Sequence, residues 1–374
     1  MQFRGTKKVA ATGGVVAAAL ALAACSSSSS PSSSSSAPAA GSSSTTSPTA
    51  SASAAVSASG TLEASGSSFQ NTFQQDAISQ FKSVNSGITV VYASVGSGAG
   101  RSALASNTVL MAGSDSPIPS SDIASFKGKT VLYFPVVIGP ISIAYNLPNV
   151  SNLKLSPTVI AKIFQGQITS WNDSAIKALN PGVSLPSTPI STAVRSDSSG
   201  TTQNFTLFLQ NAAPSVWKLG SSSTIKWPST ARAGAQNGGV ASIIKSTPGA
   251  IGYVDYTDAK ASGLSSALVQ NKAGDFVAPT PQAASTDADG ATIASNLTFA
   301  AAWASSDPAA YPVTYQSWDL VYAQQPNAND AAMLKAYLGY LLGAGQQLLP
   351  SLYYAPLPSS LDQKAVAQLS QITS

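Results

Sequence analysis

The stretch Arg195–Thr202, read as RSDSSGTT, holds the side chains best suited to chemistry. An arginine and an aspartate stand two residues apart, followed by small hydroxyl residues and one glycine. The next residues, Gln203–Gln210 (QNFTLFLQ), carry an apolar pattern that predicts a helix. A small-residue loop feeding a helix N-terminus aims several backbone N–H groups at one point. Those donors and the positive end of the helix dipole make an anion site. Arg195 adds a planar donor fork suited to phosphate or carboxylate. Asp197 is too close in sequence to be a second ligand of the same anion, and its expected part is to hold Arg195 in place. The same residues also fit a capped helix with a surface ion pair.

Other chemistries are narrowed by what the chain lacks. It has no histidine, which rules out a Ser-His-Asp triad and His-ligated metals. Its one cysteine, Cys25, rules out internal disulfides and Cys-ligated zinc or iron–sulfur sites. Gly128-Lys129-Thr130 looks like the end of a P-loop, but Ile123 stands where that motif needs glycine. Ser-x-x-Lys occurs at Ser79–Lys82 and again at Ser242–Lys245, without the companion motifs of penicillin-recognising enzymes. Gly96–Gly100 is G-x-G-x-G and not the dinucleotide fingerprint. A phosphatase would need a carboxylate metal site, and the one D-x-D pair, Asp287 and Asp289, is expected in a loop. No catalysis, cofactor or metal is therefore expected.

Composition sets the compartment. The 374 residues carry a net charge of +4, and charged residues make up 9%, against about 25% in ordinary globular domains. No Lys/Arg cluster follows the N-terminal one, so no nucleic-acid partner is expected. Residues 1–24 read as an export signal, with Arg4, Lys7 and Lys8 ahead of the apolar Val15–Ala24. The signal ends in Leu22–Cys25 (LAAC), which resembles a bacterial lipobox, so acylation (palmitate) is expected on Cys25. An ordinary signal peptide with an incidental cysteine is the alternative. Residues 25–60 are almost wholly Ser, Ala, Thr and Pro, too poor in apolar side chains to offset ordering entropy, and read as a disordered tether. The remainder exceeds what one core usually holds, which predicts two lobes.

Along that remainder the pattern strand, small turn, helix repeats, which implies an α/β fold. Thr61–Phe69 is a strand running into a turn, and Gln70–Lys82 a helix. Ile88–Val95 is a strand, and Gly96–Gly100 opens a second helix. Val109–Ser114 leads into Asp115-Ser116-Pro117. The apolar run Val131–Leu147 is interrupted by Pro135 and Pro140 and is expected as a pair of strands crossing between lobes. Pro157–Leu179 is expected to be helical, with Ile160, Ile163, Ile168, Trp171 and Ile176 in the core. Pro189–Val194 is the strand that delivers Arg195, and Pro248–Tyr256 is a second crossing. Ala328–Leu349 and Leu361–Ile372 are expected helices. Three turns share one physics: Ser67–Phe69, Gly96–Gly98 and Ser199–Thr201. Each offers hydroxyls and N–H groups after a strand and before a helix, where open α/β sheets bind ligands.

These stretches resemble the phosphate-binding protein of the phosphate-specific ABC importer, the PstS type. The matching segments are GSSF (66–69), VGSGAG (95–100), GSDSPI (113–118), FPVVIGP (134–140) and IFQGQITSWND (163–173). They continue with ALNPGVSLP (178–186), RSDSSGTTQNF (195–205), IKWP (225–228) and PGAIGYVDY (248–256). The resemblance implies a two-lobed, periplasmic-binding-protein-like type II fold, each lobe a mixed sheet flanked by helices, with a hinge between. One lobe is expected from 61–134 plus 256–374, the other from 135–255. It implies phosphate ligands Ser68 and Phe69 (backbone N–H), Ser97, Asp115, Arg195, Ser199, Gly200 and Thr201, with Asp197 steadying Arg195. Ser68 stands where the family has threonine, which keeps the hydroxyl. Beyond Asp258 the likeness is loose.

An acidic ligand in an anion site has a physical reason. Phosphate near neutral pH keeps a proton that a carboxylate can accept, and sulfate has none. The alternative is that Asp115 only caps a helix before Pro117. The expected function is capture of inorganic phosphate for the permease and ATPase of an ABC importer. The chain would act as a lipid-anchored monomer on the outer face of the cytoplasmic membrane. Rival readings are a receptor for another oxyanion, such as sulfate or molybdate, or a surface adhesin or signalling protein on the same fold.

Overall fold

The computed structural model describes residues 58–289, 291–299, 303 and 305–374. The signal segment 1–24, Cys25 and the tether up to residue 57 lie outside the described residues. Residues 58–60, expected in the tether, belong to the fold. Ala58 is buried, and Ser59 exchanges two hydrogen bonds with the Asn329 side chain (3.2 and 2.9 Å).

The first strands follow the β-branched runs. β1 (Gly60–Gly66), α1 (Asn71–Val84), β2 (Ile88–Ser94), α2 (Ser97–Ala105) and β3 (Met111–Ser114) follow one another. β2 alternates buried and exposed residues as a strand with one covered face must. β1 pairs parallel with β2, from Gly60 opposite Ile88 to Gly66 opposite Ser94, and on its other side with β3. All three strands therefore end at the same edge, where their small-residue turns begin. No α-helix starts at Pro117, contrary to the strand–turn–helix expectation there. A short 3₁₀ turn comes only at Ile123–Phe126.

β4 (Val131–Tyr145) is one strand of 15 residues, not the interrupted pair its prolines suggested. Proline cannot donate to a ladder and is confined to bulges and ladder ends. Pro135 sits at a register shift, with Trp318 opposite Pro135 and Ser317 opposite Val137. Pro140 sits where the pairing changes partner. The 131–140 part pairs with β12 (Thr314–Tyr322), and Ile141–Tyr145 pairs with β8 (Ala250–Asp255).

The middle of the chain holds β5 (Lys154–Leu155), α3 (Pro157–Phe164), α4 (Ser174–Leu179), β6 (Ser191–Arg195), α5 (Gly200–Ala212), β7 (Arg232–Gly234) and α6 (Gln236–Ser246). The single helix expected over Pro157–Leu179 is thus two. Gly166 turns left-handed at φ +72°, and Asp173 caps a new helix by accepting from Ala175 N–H at 2.8 Å. Ile160, Ile163, Ile168, Trp171 and Ile176 are all buried, as expected.

The remainder comprises α7 (Tyr256–Ala261), β9 (Ser265–Ser266), β10 (Leu268–Gln270), β11 (Phe276–Val277), α8 (Pro281–Asp289), then β12, α9 (Ala328–Leu342) and α10 (Ser359–Gln368). The expected Ala328–Leu349 helix ends at Leu342 and continues beyond Gly343 as a 3₁₀ stretch over Ala344–Leu352. The main sheet runs β2-β1-β3-β12-β4-β8-β6-β7, with β9 also on β4. β4 thus joins two half-sheets, both mixed, flanked by helices. β9 pairs with β4 at Ala144 and Tyr145, and β10 pairs with β5. The 265–277 stretch therefore lies beside 135–255, not beside the first half-sheet.

β12 is buried at all nine positions, polar ones included. Asp319 accepts from Gln74 Nε2 at 2.9 Å, Gln74 donates to Gln70, and Tyr337 OH donates to Gln74 at 2.7 Å. Burial pushes the Asp319 carboxyl up to about 7, against the pull of the two amides. This string fixes α1 on β12 and so holds the turn before α1. Asp287, expected in a loop, lies on α8 with both carboxylate oxygens buried and unpartnered among the described residues. Burial pushes it up to about 8, and among the described residues it belongs to no group of three side chains that could hold a metal.

Candidate anion-binding site

The three turns converge. Ser67–Phe69 is pinned from three sides: Ser67 N–H donates to Gly113 O at 2.8 Å, Tyr92 OH to Ser67 O at 2.8 Å, and Tyr354 OH to Phe69 O at 2.5 Å. The N-terminus of α2 faces the loop before α5, where Gly98 N–H donates to Ser198 O at 3.0 Å. Ser199 caps α5 by accepting from Thr202 N–H at 3.2 Å. The helix itself offers no acceptor for the N–H groups of its first turn. Ser68, Phe69, Ser97, Asp115, Arg195, Ser199 and Thr201 are all at most 7% exposed, so water competes little for their polar groups. Two glycines permit this approach. A Cβ on Gly200 would stand 2.6 Å from Asp115 Cβ and 2.7 Å from Ser97 Oγ, and one on Gly98 would overlap the Ser198 side chain.

Asp115 lies at the centre. Its Oδ1 accepts from Ser67 Oγ and, at 2.6 Å, from Ser317 Oγ; its Oδ2 accepts from Ser97 Oγ at 3.2 Å. Burial raises its pKa, opposed by those hydroxyls and the charge of Arg195. The helix-cap alternative for Asp115 fails, because no helix begins there.

Arg195 is oriented as expected. Its Nε donates to Asp197 Oδ1 at 2.9 Å and Nη2 to Asp197 Oδ2 at 2.5 Å. This bidentate fork is the strong geometry for the pair. Burial opposes the charged form of Asp197, but the Arg195 hydrogen bonds and charge outweigh it and lower the pKa. Nη1 reaches Thr201 Oγ1 at 3.4 Å and Asn237 Oδ1 at 3.2 Å. In this arrangement Phe69 N–H donates to Ser67 Oγ at 3.0 Å.

All eight expected ligand residues and Asp197 thus lie in one buried cluster or its immediate support. The sequence reading missed a surrounding ring. Ser317 comes from β12, which had no signal of its own. Asn237, at the start of α6, links Arg195 to the Ser68 hydroxyl and to Asp255. Asn204 on α5 donates to Asp115 O at 2.5 Å and to Gly200 O at 2.9 Å. Arg101, directly after the VGSGAG segment, donates from Nη1 to Ser114 Oγ and Ser116 Oγ, both at 3.0 Å, on either side of Asp115. Only Asn204 and Arg101 had a signal, since they lie within or beside matching motifs.

The arrangement holds one charged fork, hydroxyls, a helix N-terminus and one carboxylate acceptor. Among the described residues no group of three His, Cys, Asp or Glu side chains is placed to hold a metal. Such a site can bind an anion. A family profile described as a PBP superfamily domain matches residues 35–344, and this defines the class: binding proteins of the PBP superfamily.

Phosphate-binding protein PstS 3 of Mycobacterium leprae is 35% identical over 317 residues, 81% of this chain and 85% of the relative. Phosphate-binding protein PstS of Pasteurella multocida is 34% identical over 315 residues, 82% of this chain and 89% of the relative. The chain belongs to this PstS-type family of phosphate-binding proteins. Its fold is shared by the solved phosphate-binding protein from Stenotrophomonas maltophilia, with a TM-score of 0.65 at 20% identity over 83% of this chain and 94% of the other.

Proposed function

We propose that this chain captures inorganic phosphate and delivers it to the permease and ATPase of an ABC importer. The observation that carries the reading is the buried Asp115 carboxylate within reach of the Arg195 charge and packed against Gly200 at the N-terminus of α5. A neutral or sulfate-selective site has no use for a carboxylate acceptor. A protonated oxyanion does, because its O–H needs one. The ligands are Ser68, Phe69, Ser97, Asp115, Arg195, Ser199, Gly200 and Thr201, with Asp197 behind Arg195. The two lobes are 61–134 with most of 256–374, and 135–255 with 265–277 attached to it; the hinge includes the partner change in β4. Calorimetric titration of protein stripped of carried-over ligand tests the reading. Phosphate is expected to bind one to one, and sulfate and molybdate to give no heat. A site that prefers either of those anions, or ignores phosphate, overturns it.

The placement proposed is the outer face of the cytoplasmic membrane, with the protein held as a monomer by acylated Cys25. Its support is the lone cysteine at the end of a lipobox-like segment, and no helix of the described residues is long and apolar enough to cross a membrane. Cys25→Ala is expected to abolish labelling by a fatty-acid probe and to shift mature protein from the membrane to the medium. Undiminished labelling of the variant counts against the anchor.

A further inference from the structure

The N-terminus of α6 touches both halves of the site. Gln236 stands at φ +58°, left-handed backbone that favours glycine. Its N–H donates to Asp197 Oδ1 at 3.0 Å, the same oxygen that accepts from Arg195 Nε. Its side chain goes the other way. Nε2 donates to the carbonyl of Ser94 at 2.6 Å, and Oε1 lies 3.4 Å from Ser94 Oγ. Ser94 ends β2 in the first half-sheet, whereas Gln236 follows β7 in the second.

The backbone geometry here would be met without strain by glycine, and glycine would still supply the N–H to Asp197. A glutamine kept in left-handed backbone is over-determined by its side-chain bond. We infer that Gln236 is a positioning residue that latches the two lobes. It ties the Asp197–Arg195 pair to the end of β2, outside the ligand set, and so governs how long a captured anion stays. The inference rests on the phosphate-capture reading for its ligand. A bond made on closure acts mainly on release, since the ligand enters the open form; in phosphate-free protein it holds only the minority of molecules that are closed.

Gln236→Gly isolates the latch, because it keeps the left-handed backbone and the N–H to Asp197 and deletes only the side chain. By stopped-flow chase with inorganic phosphate, release is expected to be about tenfold faster, with the association rate within about twofold of the parent. Gln236→Asn, which tolerates the backbone but is one methylene shorter, should match the glycine variant. A merely structural role would instead lower the melting temperature of the phosphate-free protein, which is expected to hold or rise. Small-angle scattering of the phosphate-free forms gives a second reading, in which the variant should be the more expanded. A variant that releases phosphate at the parent rate overturns the latch. A parent that binds no phosphate overturns the functional proposal instead; the latch is then judged by scattering alone, and equal radii overturn it.

Discussion

Asp115→Asn is expected to erase most of the preference for phosphate over sulfate while leaving the protein folded. The two anions share shape and size. Arg195, the hydroxyls of Ser97, Ser199 and Thr201, and the first turn of α5 attract both. Only the proton on phosphate differs, and Asp115 is the one carboxylate among the proposed ligands. Its Oδ1 is engaged by the hydroxyls of Ser67 and Ser317, whereas Oδ2 has only the longer 3.2 Å bond from Ser97. Oδ2 is therefore the oxygen proposed to accept the phosphate O–H. That charge-assisted bond is worth about 1.5–3 kcal/mol net. Sites built around one such bond reject the analogue lacking it by about 10⁴–10⁵-fold. An amide in this place presents a donor to either anion, and the neighbouring hydroxyls can rotate to accept or donate, so the core adapts. Competition titration at neutral pH should show sulfate binding rise as phosphate binding falls. If the folded variant still binds phosphate and excludes sulfate as the parent does, discrimination lies elsewhere.

Gly200→Ala should separate binding from folding. At the first position of α5, alanine is the better helix former by up to about 1 kcal/mol, so the phosphate-free protein should melt no lower than the parent. Its methyl would fall 2.6–2.8 Å from Asp115 Cβ, Ser97 Oγ and Asp115 Oδ2, atoms contributed by the opposite half-sheet. Relieving that overlap costs about 1–3 kcal/mol, or roughly 5–150-fold in affinity. In the parent, phosphate at a thousandfold excess over Kd should add about 4 kcal/mol of stability. The variant should lose much of that increment at the same phosphate concentration. An unchanged Kd would mean that the approach of Gly200 to Asp115 is absent from the bound state.

Local signals are legible in this sequence and remote ones are not. The three turns were legible because each follows a β-branched run and consists of small residues, a pattern set within about ten positions. β4 is not legible as one strand because Pro135 and Pro140 look like breaks. One sits in a bulge and the other where the hydrogen-bonding partner changes, and neither location can be seen without β12 and β8 in place. The break between α3 and α4 is hidden because the apolar spacing continues through Gly166 and past the Asp173 cap. β12 itself, TYQSWDLVY, shows no alternation because both of its faces are covered and its Gln316, Ser317 and Asp319 find partners inside. The residues proposed as ligands lie in contiguous motifs, so their own neighbourhoods mark them. Ser317, Asn237 and Gln236 act through contacts between segments far apart in the chain, so nothing in their own neighbourhoods marks them.

The position of β12 in the sheet has a consequence for how the protein is made. It lies between β3 and β4, yet it follows nearly the whole second half-sheet in the chain. A chain made from its N-terminus has β3 and β4 long before Thr314 exists, and until then each of them lacks its central neighbour. Sheet pairings of such long sequence separation form slowly. The first half-sheet, and Ser317 with it, is therefore completed only after the strands of the second half-sheet have been made. For a chain bound for export, as proposed for this one, late closure keeps the polypeptide threadable until it has been handed to the membrane.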